Sequence, residues 1–281
     1  MSPKEQTLLL GPAKHIVATC TGALPSQTQR PPVVALLTNS GVIPRSGPNR
    51  MNVHLARHFA AMGIPSVRFD LTGLGDSGRP ATPLPLMAQW VADTRSVMDH
   101  AAEQHGCDRF LMVGFCSGAE VAHLVALEDA RLRGAVLWDL YAYPTPASKL
   151  LSLAYRLQRL GCRGAARKAA QRLTALLSRQ PPAAPQAKAM ASTVPDRAVY
   201  AQRIQTLVDQ GVALHIAFGE GNQTWFNHSG QFRAMFSGQR FLAQVDFSFL
   251  TETDHLLTTT EGQQAFLRMT DHWVRRHFLN A

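Results

Sequence analysis

Cysteine is scarce in this sequence, and the placement of its cysteines excludes two kinds of site. The four cysteines among 281 residues show neither the paired spacing of a metal-binding motif nor a disulfide framework. Such sparse use of cysteine favours a reducing compartment, and we expect the protein to be cytoplasmic. No metal site and no cofactor are predicted.

Long apolar runs are also absent. No run reaches the roughly 18 apolar residues of a membrane-spanning helix. The first residues, MSPKEQTLLLGPAKH, lack the charged-then-apolar layout of a signal peptide. Apolar residues nevertheless make up 46% of the chain, which is enough for a sizeable core. The length suits one large domain, or a domain that carries an insertion.

Short apolar runs alternate along the chain with stretches of helical periodicity, and this alternation predicts the fold. The runs predict strands in the order TLLLG, HIVATCTG, VVALLTNS, IPSVRFDL, RFLMVGF, GAVLWDL, VALHIAFG and VDFSFLT. Strands that alternate with helices favour an α/β fold, with a mostly parallel sheet covered by helices on both faces. The alternation stops between residues 145 and 205. We therefore predict a core of residues 1–144 and 206–281 with an inserted helical cap of residues 145–205.

The stretch VGFCSGAEV, residues 113–121, follows a predicted strand and opens a predicted helix. Its centre, from Gly114 to Gly118, has the spacing of a G-x-S-x-G nucleophile elbow, with Cys116 in the central position. The central side chain of such a turn is exposed, and the N-terminus of the following helix favours an anion there. Cys116 is therefore interpreted as an attacking thiolate. The alternative is a buried small residue in a catalytically inactive protein.

Attack of a thiolate on a carbonyl group creates an oxyanion, which needs hydrogen-bond donors. The backbone N–H of Ser117, the residue after the nucleophile, is one predicted donor. The other is expected from the loop after VVALLT, where Asn39, Ser40 and Gly41 are the candidates.

A histidine and an acid complete this kind of site, in the chain order nucleophile, acid, histidine. His255 follows the last predicted strand and is the best-placed histidine for a general base. Two loops offer the acid: Glu220 after VALHIAFG is preferred, and Asp139 near the end of GAVLWDL is the second choice. Asn222, or no acid at all, is the remaining alternative.

These motifs together resemble the α/β-hydrolase superfamily. The strand end RFDLTGLGDSG resembles its D-x-x-G-x-G-x-S loop, the elbow GFCSGA comes next, and a DH pair lies near the C-terminus. More narrowly, the stretch that begins TNSGVIPRSGPNRMNVHLAR resembles bacterial hydrolase-like proteins associated with the exosortase A system, some of which have cysteine at the elbow. The resemblance covers nearly the whole chain outside the predicted cap and implies an α/β-hydrolase fold.

Cysteine at the elbow implies acyl chemistry, because a thiolate attacks acyl groups to form a reactive thioester. The predicted function is a Cys-dependent acyl hydrolase or acyltransferase that acts on thioesters or esters through an acyl-enzyme. The alternative is a catalytically inactive binding protein with the hydrolase fold.

Acidic residues are missing from one segment, and this bears on the partner. Between Lys149 and Lys188 the chain has nine basic residues and no acidic one, whereas the net charge of the whole chain is +9. One hypothesis is docking of an acidic acyl carrier protein or coenzyme A. A second is an anionic membrane surface, since leucines accompany the basic residues. A solvated helical face is the third, and no nucleic acid is expected because stacking aromatics are missing.

Overall fold

The computed structural model describes residues 3–23, 31–158, 194–221 and 226–280. In these ranges an eight-stranded sheet has the order β1-β2-β4-β3-β5-β6-β7-β8. Strands β1 and β2 form an antiparallel hairpin, β2 is antiparallel to β4, and the six strands β3 to β8 are all parallel to one another. The mostly parallel sheet of the predicted α/β fold is confirmed. The strands are β1 Glu5–Leu10, β2 Ile16–Thr21, β3 Val34–Leu37, β4 Ser66–Phe69, β5 Phe110–Phe115, β6 Leu132–Trp138, β7 Ala213–Gly219 and β8 Asp246–Leu250.

Helices connect the parallel strands and cover the sheet. None of the helices in the described ranges is both long and apolar enough to cross a bilayer. A 3-10 helix, Pro48–Arg50, precedes α1; a second, Arg240–Ala243, precedes β8, and a π-helical turn, Arg275–Leu279, follows α7. The α-helices are α1 Met51–Ala61, α2 Leu86–His105, α3 Ser117–Glu128, α4 at residues 146–158, α5 Arg197–Asp209, α6 Gln231–Met235 and α7 Thr260–Val274.

The central parallel strands β3, β5 and β6 are buried on both faces because they are apolar at nearly every position, whereas the edge strand β8 is only half-buried. Strand β5 reads FLMVGF, and all six of its residues are buried. Successive side chains of a strand point to opposite faces, so a continuous apolar run supplies two cores. One core packs against α2, α3 and α5, and the other against α1 and α7. Because the parallel strands run in the same direction, their carboxyl ends meet at one edge of the sheet, which is where α/β proteins bind ligands.

Helix α5 changes the predicted limit of the inserted cap. It runs without interruption through the predicted boundary between residues 205 and 206. Tyr200, Ile204 and Leu207 on this helix are buried in the core on one side of the sheet. Helix α5 therefore belongs to the core, and the predicted boundary is too late in the chain. Of the remaining predicted cap, α4 is described and residues 159–193 lie outside the described ranges.

A histidine without charge is built into the core on helix α3. His123 is fully buried, and neither of its ring nitrogens has a hydrogen-bond partner among the described residues. The rings of Tyr141 and Tyr200 pack edge-on against it. Burial, followed by the positive charge of Arg203, lowers the pKa of His123 to about 3. Protonation of His123 is therefore coupled to unfolding.

We expect His123→Phe to remove part of the acid sensitivity of folding. The unfolded chain binds a proton at this imidazole below about pH 6.5, whereas the folded chain leaves it neutral down to about pH 3. Stability therefore falls as the pH drops through this window, by on the order of 3 kcal/mol between pH 7 and pH 4. Urea unfolding of parent and variant at both pH values measures the difference.

The control for this experiment is His54→Phe, on the exposed side of α1. This variant is expected to keep the pH dependence of the parent, because the His54 side chain meets solvent in the folded and unfolded chains. Identical pH dependence in the parent and in His123→Phe would contradict the role of the buried imidazole.

Candidate active site

Cys116 lies in the turn between β5 and α3, at the carboxyl edge of the sheet. Its backbone has φ 54° and ψ −115°, a conformation that is rare for a residue with a side chain. The turn is held on both sides, because the Cys116 N–H donates to the carbonyl of Trp138 and its own carbonyl accepts from Ala119 and Glu120. The thiol is partly exposed. The strained turn therefore presents a sulfur atom to solvent at the start of a helix.

The two glycines of the elbow are required by close packing. A methyl group at Gly114 would collide with the Gly118 carbonyl, and one at Gly118 would collide with the carbonyl oxygen of Asn39. The backbone of α3 therefore approaches both its own strand and the loop after β3 more closely than side chains permit. This explains in physical terms why glycines flank Cys116.

His255 lies in the loop between β8 and α7 and reaches Cys116. Its Nδ1 is 2.7 Å from Oδ2 of Asp139, and its imidazole lies close enough to the Cys116 side chain for the two groups to interact electrostatically. Two long-range contacts hold the loop: the indole N–H of Trp138 donates to the His255 carbonyl at 3.0 Å, and Nδ2 of Asn49 donates to the Leu256 carbonyl at 2.8 Å. The structure thus brings the thiol, the imidazole and a carboxylate together, with the imidazole between the other two groups.

Neither Trp138 nor Asn49 was expected in this position from the sequence. Asn49 precedes α1 and has the residue type of a helix N-cap, but α1 has no side-chain cap, and the Asn49 amide binds the distant His255 loop instead. The sequence signal for Trp138 is its position directly before the candidate acid Asp139.

Asp139 begins the loop after β6, and its side chain is fully buried. It has φ 49°, a left-handed conformation that aspartate tolerates better than most residues. Its Oδ1 accepts from the Gly219 N–H at 3.1 Å, while Oδ2 faces the imidazole. Both carboxylate oxygens are therefore engaged, and the loop after β7 orients the acid without supplying it.

The sequence preference for Glu220 does not agree with these contacts. The Glu220 carboxylate accepts a hydrogen bond from the Glu252 backbone N–H at 2.9 Å, and Asp139 occupies the place beside the imidazole. Asp254, next to His255 in sequence, instead accepts bonds from the backbone and hydroxyl of Thr258. Asn222, the other candidate, lies outside the described residues.

The electrostatics favour a charged imidazole in this arrangement. The hydrogen bond to Asp139, followed by the interaction with Cys116, raises the pKa of His255 to about 10. Partial burial acts in the opposite direction and is outweighed. The charged imidazole therefore lies between the Asp139 carboxylate and the Cys116 sulfur atom.

The predicted oxyanion residues lie around the elbow, but their backbone N–H groups differ in whether they are already hydrogen-bonded. The Ser117 N–H is the first of α3 and belongs to the group that a helix leaves unpaired. The Gly41 N–H donates to Oγ of Ser117 at 2.8 Å, so it is already used. The Ser40 N–H makes only a long contact of 3.4 Å with the Ile43 carbonyl. These contacts bring the loop after β3 against the start of α3.

The side chain of Asn39 is used inside the fold. Its Nδ2 donates to the Ile43 carbonyl and to Asp70, and its Oδ1 accepts from the Leu71 N–H at 2.6 Å. The buried Asp70 carboxylate also accepts from the backbone and the guanidinium of Arg45 at 2.6 Å each. The aspartate of the D-x-x-G-x-G-x-S motif therefore fixes the loop after β3, and Arg45 is a structural partner of Asp70.

The sheet order, the strained elbow and the hydrogen bond between His255 and the buried Asp139 together define an α/β-hydrolase. No group of three metal-ligating side chains that could hold an ion occurs in the part of the chain that the structure describes. The chain belongs to the family described as serine aminopeptidase, S33, whose model matches residues 48–213. The family is named for a serine, whereas the elbow residue here is Cys116.

Solved structures agree with this fold at low sequence identity. An α/β serine hydrolase without a lid from Xanthomonas campestris is 16% identical, with a TM-score of 0.56, over 99% of this chain and 96% of that one. A meta-cleavage product hydrolase from Pseudomonas fluorescens is 18% identical, with a TM-score of 0.57, over 96% and 97%. An α/β serine hydrolase homologue from Coxiella burnetii is 15% identical, with a TM-score of 0.55, over 98% of each chain.

Such identities show the shared fold and nothing finer. No protein of curated function matches the sequence.

We expect Cys116 to react with iodoacetamide before the other described cysteines. Cys20 and Cys107 are buried, and burial raises the pKa of the Cys20 thiol, whereas Cys116 is partly exposed beside an imidazolium. Limited labelling at about pH 6.5, where an ordinary thiol is almost fully protonated, followed by peptide mapping, gives the order. The prediction is wrong if Cys20 or Cys107 is alkylated while Cys116 stays unmodified.

Asp139→Asn is expected to lower the pKa of His255, whereas Glu220→Gln is expected to leave it near that of the parent. The hydrogen bond to the Asp139 carboxylate is the largest cause of the raised value, and Glu220 binds the Glu252 backbone instead. The proton on the imidazole should therefore be lost at a lower pH in Asp139→Asn. NMR titration of the His255 Cε1–H signal measures this, and an equal response of the two variants would contradict the assignment of Asp139.

Proposed function

We propose that the protein is a Cys-dependent acyl hydrolase or acyltransferase that acts on thioesters or esters. The observation that carries this proposal is the placement of Cys116 beside the His255 imidazole, which is hydrogen-bonded to the buried Asp139. Membership of a hydrolase family supports the general class. The cysteine nucleophile and the acyl substrates are the proposed refinements of that class.

The proposed chemistry begins with Cys116 as a thiolate and His255 as an imidazolium. The Cys116 thiolate attacks the carbonyl carbon of the substrate, and the carbonyl electrons move to the oxygen. The Ser117 N–H stabilises this oxyanion, with the N–H of Ser40 as the proposed second donor. When the tetrahedral intermediate collapses, the leaving thiol or alcohol takes the proton of the His255 imidazolium, and the acyl group remains on sulfur as a thioester.

The second half of the reaction uses the neutral imidazole that the first half leaves behind. His255 accepts a proton from water or from an acceptor amine, alcohol or thiol as that group attacks the acyl-enzyme. This attack forms a second tetrahedral intermediate. Collapse of that intermediate releases the acyl product, restores the Cys116 thiolate and leaves the imidazolium paired with Asp139. Water as acceptor gives hydrolysis, and any other acceptor gives acyl transfer.

A cysteine nucleophile suits acyl exchange better than serine does, since the thioester it forms reacts readily with amines and thiols. Acyl thioesters, carried on coenzyme A or on an acyl carrier protein, are the proposed donors of the acyl group. A free thiol in this role also suits the cytoplasm, where thiols stay reduced. The narrower resemblance to proteins associated with the exosortase A system stays a prediction and adds no substrate.

Intact-mass measurement after incubation with acyl-coenzyme A thioesters and p-nitrophenyl esters tests the proposed function. The parent is expected to gain the mass of one acyl group on Cys116, and Cys116→Ala is expected to gain none. His255→Ala should acylate more slowly by roughly 10²–10⁴-fold, which is the usual contribution of a general acid–base group.

Ser117→Ala is a matched variant for this experiment. It keeps the thiol and the backbone N–H of residue 117, removing only the hydroxyl that accepts from Gly41. We expect it still to gain the acyl mass, which separates Cys116 from the serine beside it. If the parent gains no mass and hydrolyses none of these donors, the inactive binding protein with the same fold becomes the better interpretation.

A further inference from the structure

Helix α4 turns an apolar surface toward solvent. Four of its leucines are exposed, which is unusual for a helix that also packs against a core. Their exposed fractions are 69% for Leu150, 46% for Leu151, 52% for Leu153 and 44% for Leu157. At 100° per residue these leucines fall within one arc of less than half of the helix circumference. We call this arc, with Ala154, the leucine face.

The opposite side of α4 is polar and is fixed to the core by hydrogen bonds. Ser148 and Ser152, one turn apart, are both buried. Nδ2 of Asn227 donates to the Ser148 carbonyl and to Oγ of Ser152, at 2.9 Å each. Thr145 and Ser148 also cap the start of the helix through reciprocal backbone and side-chain bonds of 2.8 and 3.1 Å. These bonds set the rotation of α4 and keep its leucines pointing outward.

Basic side chains border the leucine face on one side. Lys149 and Arg156 are both exposed, and their helical positions lie between the leucine face and the buried serines. The sequence continues this charge, since no acidic residue occurs between Lys149 and Lys188. An apolar arc with basic residues along its margin has the pattern of a helix that lies in the interface of an anionic membrane.

We propose that α4 docks the protein onto an anionic lipid surface, with the leucine face in the acyl-chain boundary and Lys149 and Arg156 at the headgroups. Long basic side chains can keep their charge at this level while their stems cover apolar surface. The face consists of aliphatic leucines with no tryptophan or tyrosine. Leucine is under-represented among the residues that dominate protein–protein binding, so the composition favours lipid over a protein partner.

Helix α4 is close in sequence to the candidate active site. The helix begins seven residues after Asp139, in the segment that leaves the carboxyl edge of the sheet. The proposal rests on the surface of α4 and does not depend on the acyl chemistry. It is therefore tested by binding, and Cys116→Ala is expected to bind vesicles as the parent does.

Flotation of the full chain with lipid vesicles tests the proposal. The parent is expected to bind vesicles of phosphatidylcholine with about a third phosphatidylserine, and to bind less as salt rises. The triple variant Leu150→Ser, Leu153→Ser and Leu157→Ser should bind at least about tenfold more weakly, because it loses the buried apolar area. The double variant Lys149→Glu and Arg156→Glu should lose the preference for anionic over pure phosphatidylcholine vesicles.

The matched control is the double variant Leu84→Ser and Leu86→Ser, which removes exposed leucines at the start of α2, with exposed fractions of 52% and 47%. It should bind vesicles like the parent. Since every substituted side chain is exposed, thermal unfolding should show all variants folded at the temperature of the assay.

Four outcomes would overturn the proposal. The parent fails to bind anionic vesicles, or the triple leucine variant binds them as well as the parent does. Size-exclusion chromatography with light scattering shows a parent dimer that the triple variant lacks, and vesicle binding is absent; the leucine face then joins two copies of the chain. Alternatively, the face captures an acidic acyl carrier protein in preference to vesicles, and the partner is then a protein.

Discussion

The close approach of three backbone segments at the elbow is the constraint on which the site depends. The start of α3 packs against β5 and against the loop after β3 so tightly that only glycine fits at Gly114 and Gly118. This packing holds Cys116 in a strained left-handed turn and directs its side chain away from the core. A strained residue persists only where its surroundings over-determine it, and here strand pairing, helix start and loop contact all do so.

The other parts of the site are attached to this turn by buried polar bonds that span long stretches of sequence. The Gly219 N–H orients the Asp139 carboxylate, and this carboxylate in turn orients the His255 imidazole. Hydrogen bonds from Trp138 and Asn49 also hold the loop that carries His255. On the other side of the elbow, the buried Asp70 carboxylate fixes the loop that faces Ser117. Each of these carboxylates uses both oxygens, which lets a charge be buried without leaving an acceptor unpaired.

The exposed surface of α4 is determined by contacts other than those that form the candidate active site. Its polar side faces inward because Asn227 and the two buried serines satisfy one another, and its leucines remain outside as a result. The two proposals are independent, since one depends on the placement of Cys116, His255 and Asp139 and the other on an exposed apolar surface.

Local sequence patterns were enough to predict most of the fold and part of the site. The apolar runs located the strands because a sheet buried on both faces needs continuous apolar segments, and the glycines around Cys116 marked the turn because few other residues tolerate it. His255 was found because it follows the last strand in the expected order. These features depend on neighbours in sequence, and the sequence by itself determined them.

Tertiary structure decided what depends on distant partners. Glu220 and Asp139 both lie at the ends of strands that meet at the same edge of the sheet. Only the contacts of Asp139 with Gly219 and His255 identify Asp139 as the acid beside the imidazole. The residue type of Asn49 suits a helix cap, yet its amide binds a loop 207 residues further along the chain. Periodicity likewise placed the leucines of α4 on one side of a helix. Only the hydrogen bonds of the buried serines decided that this side faces outward, because periodicity fixes the spacing of a face and not its direction.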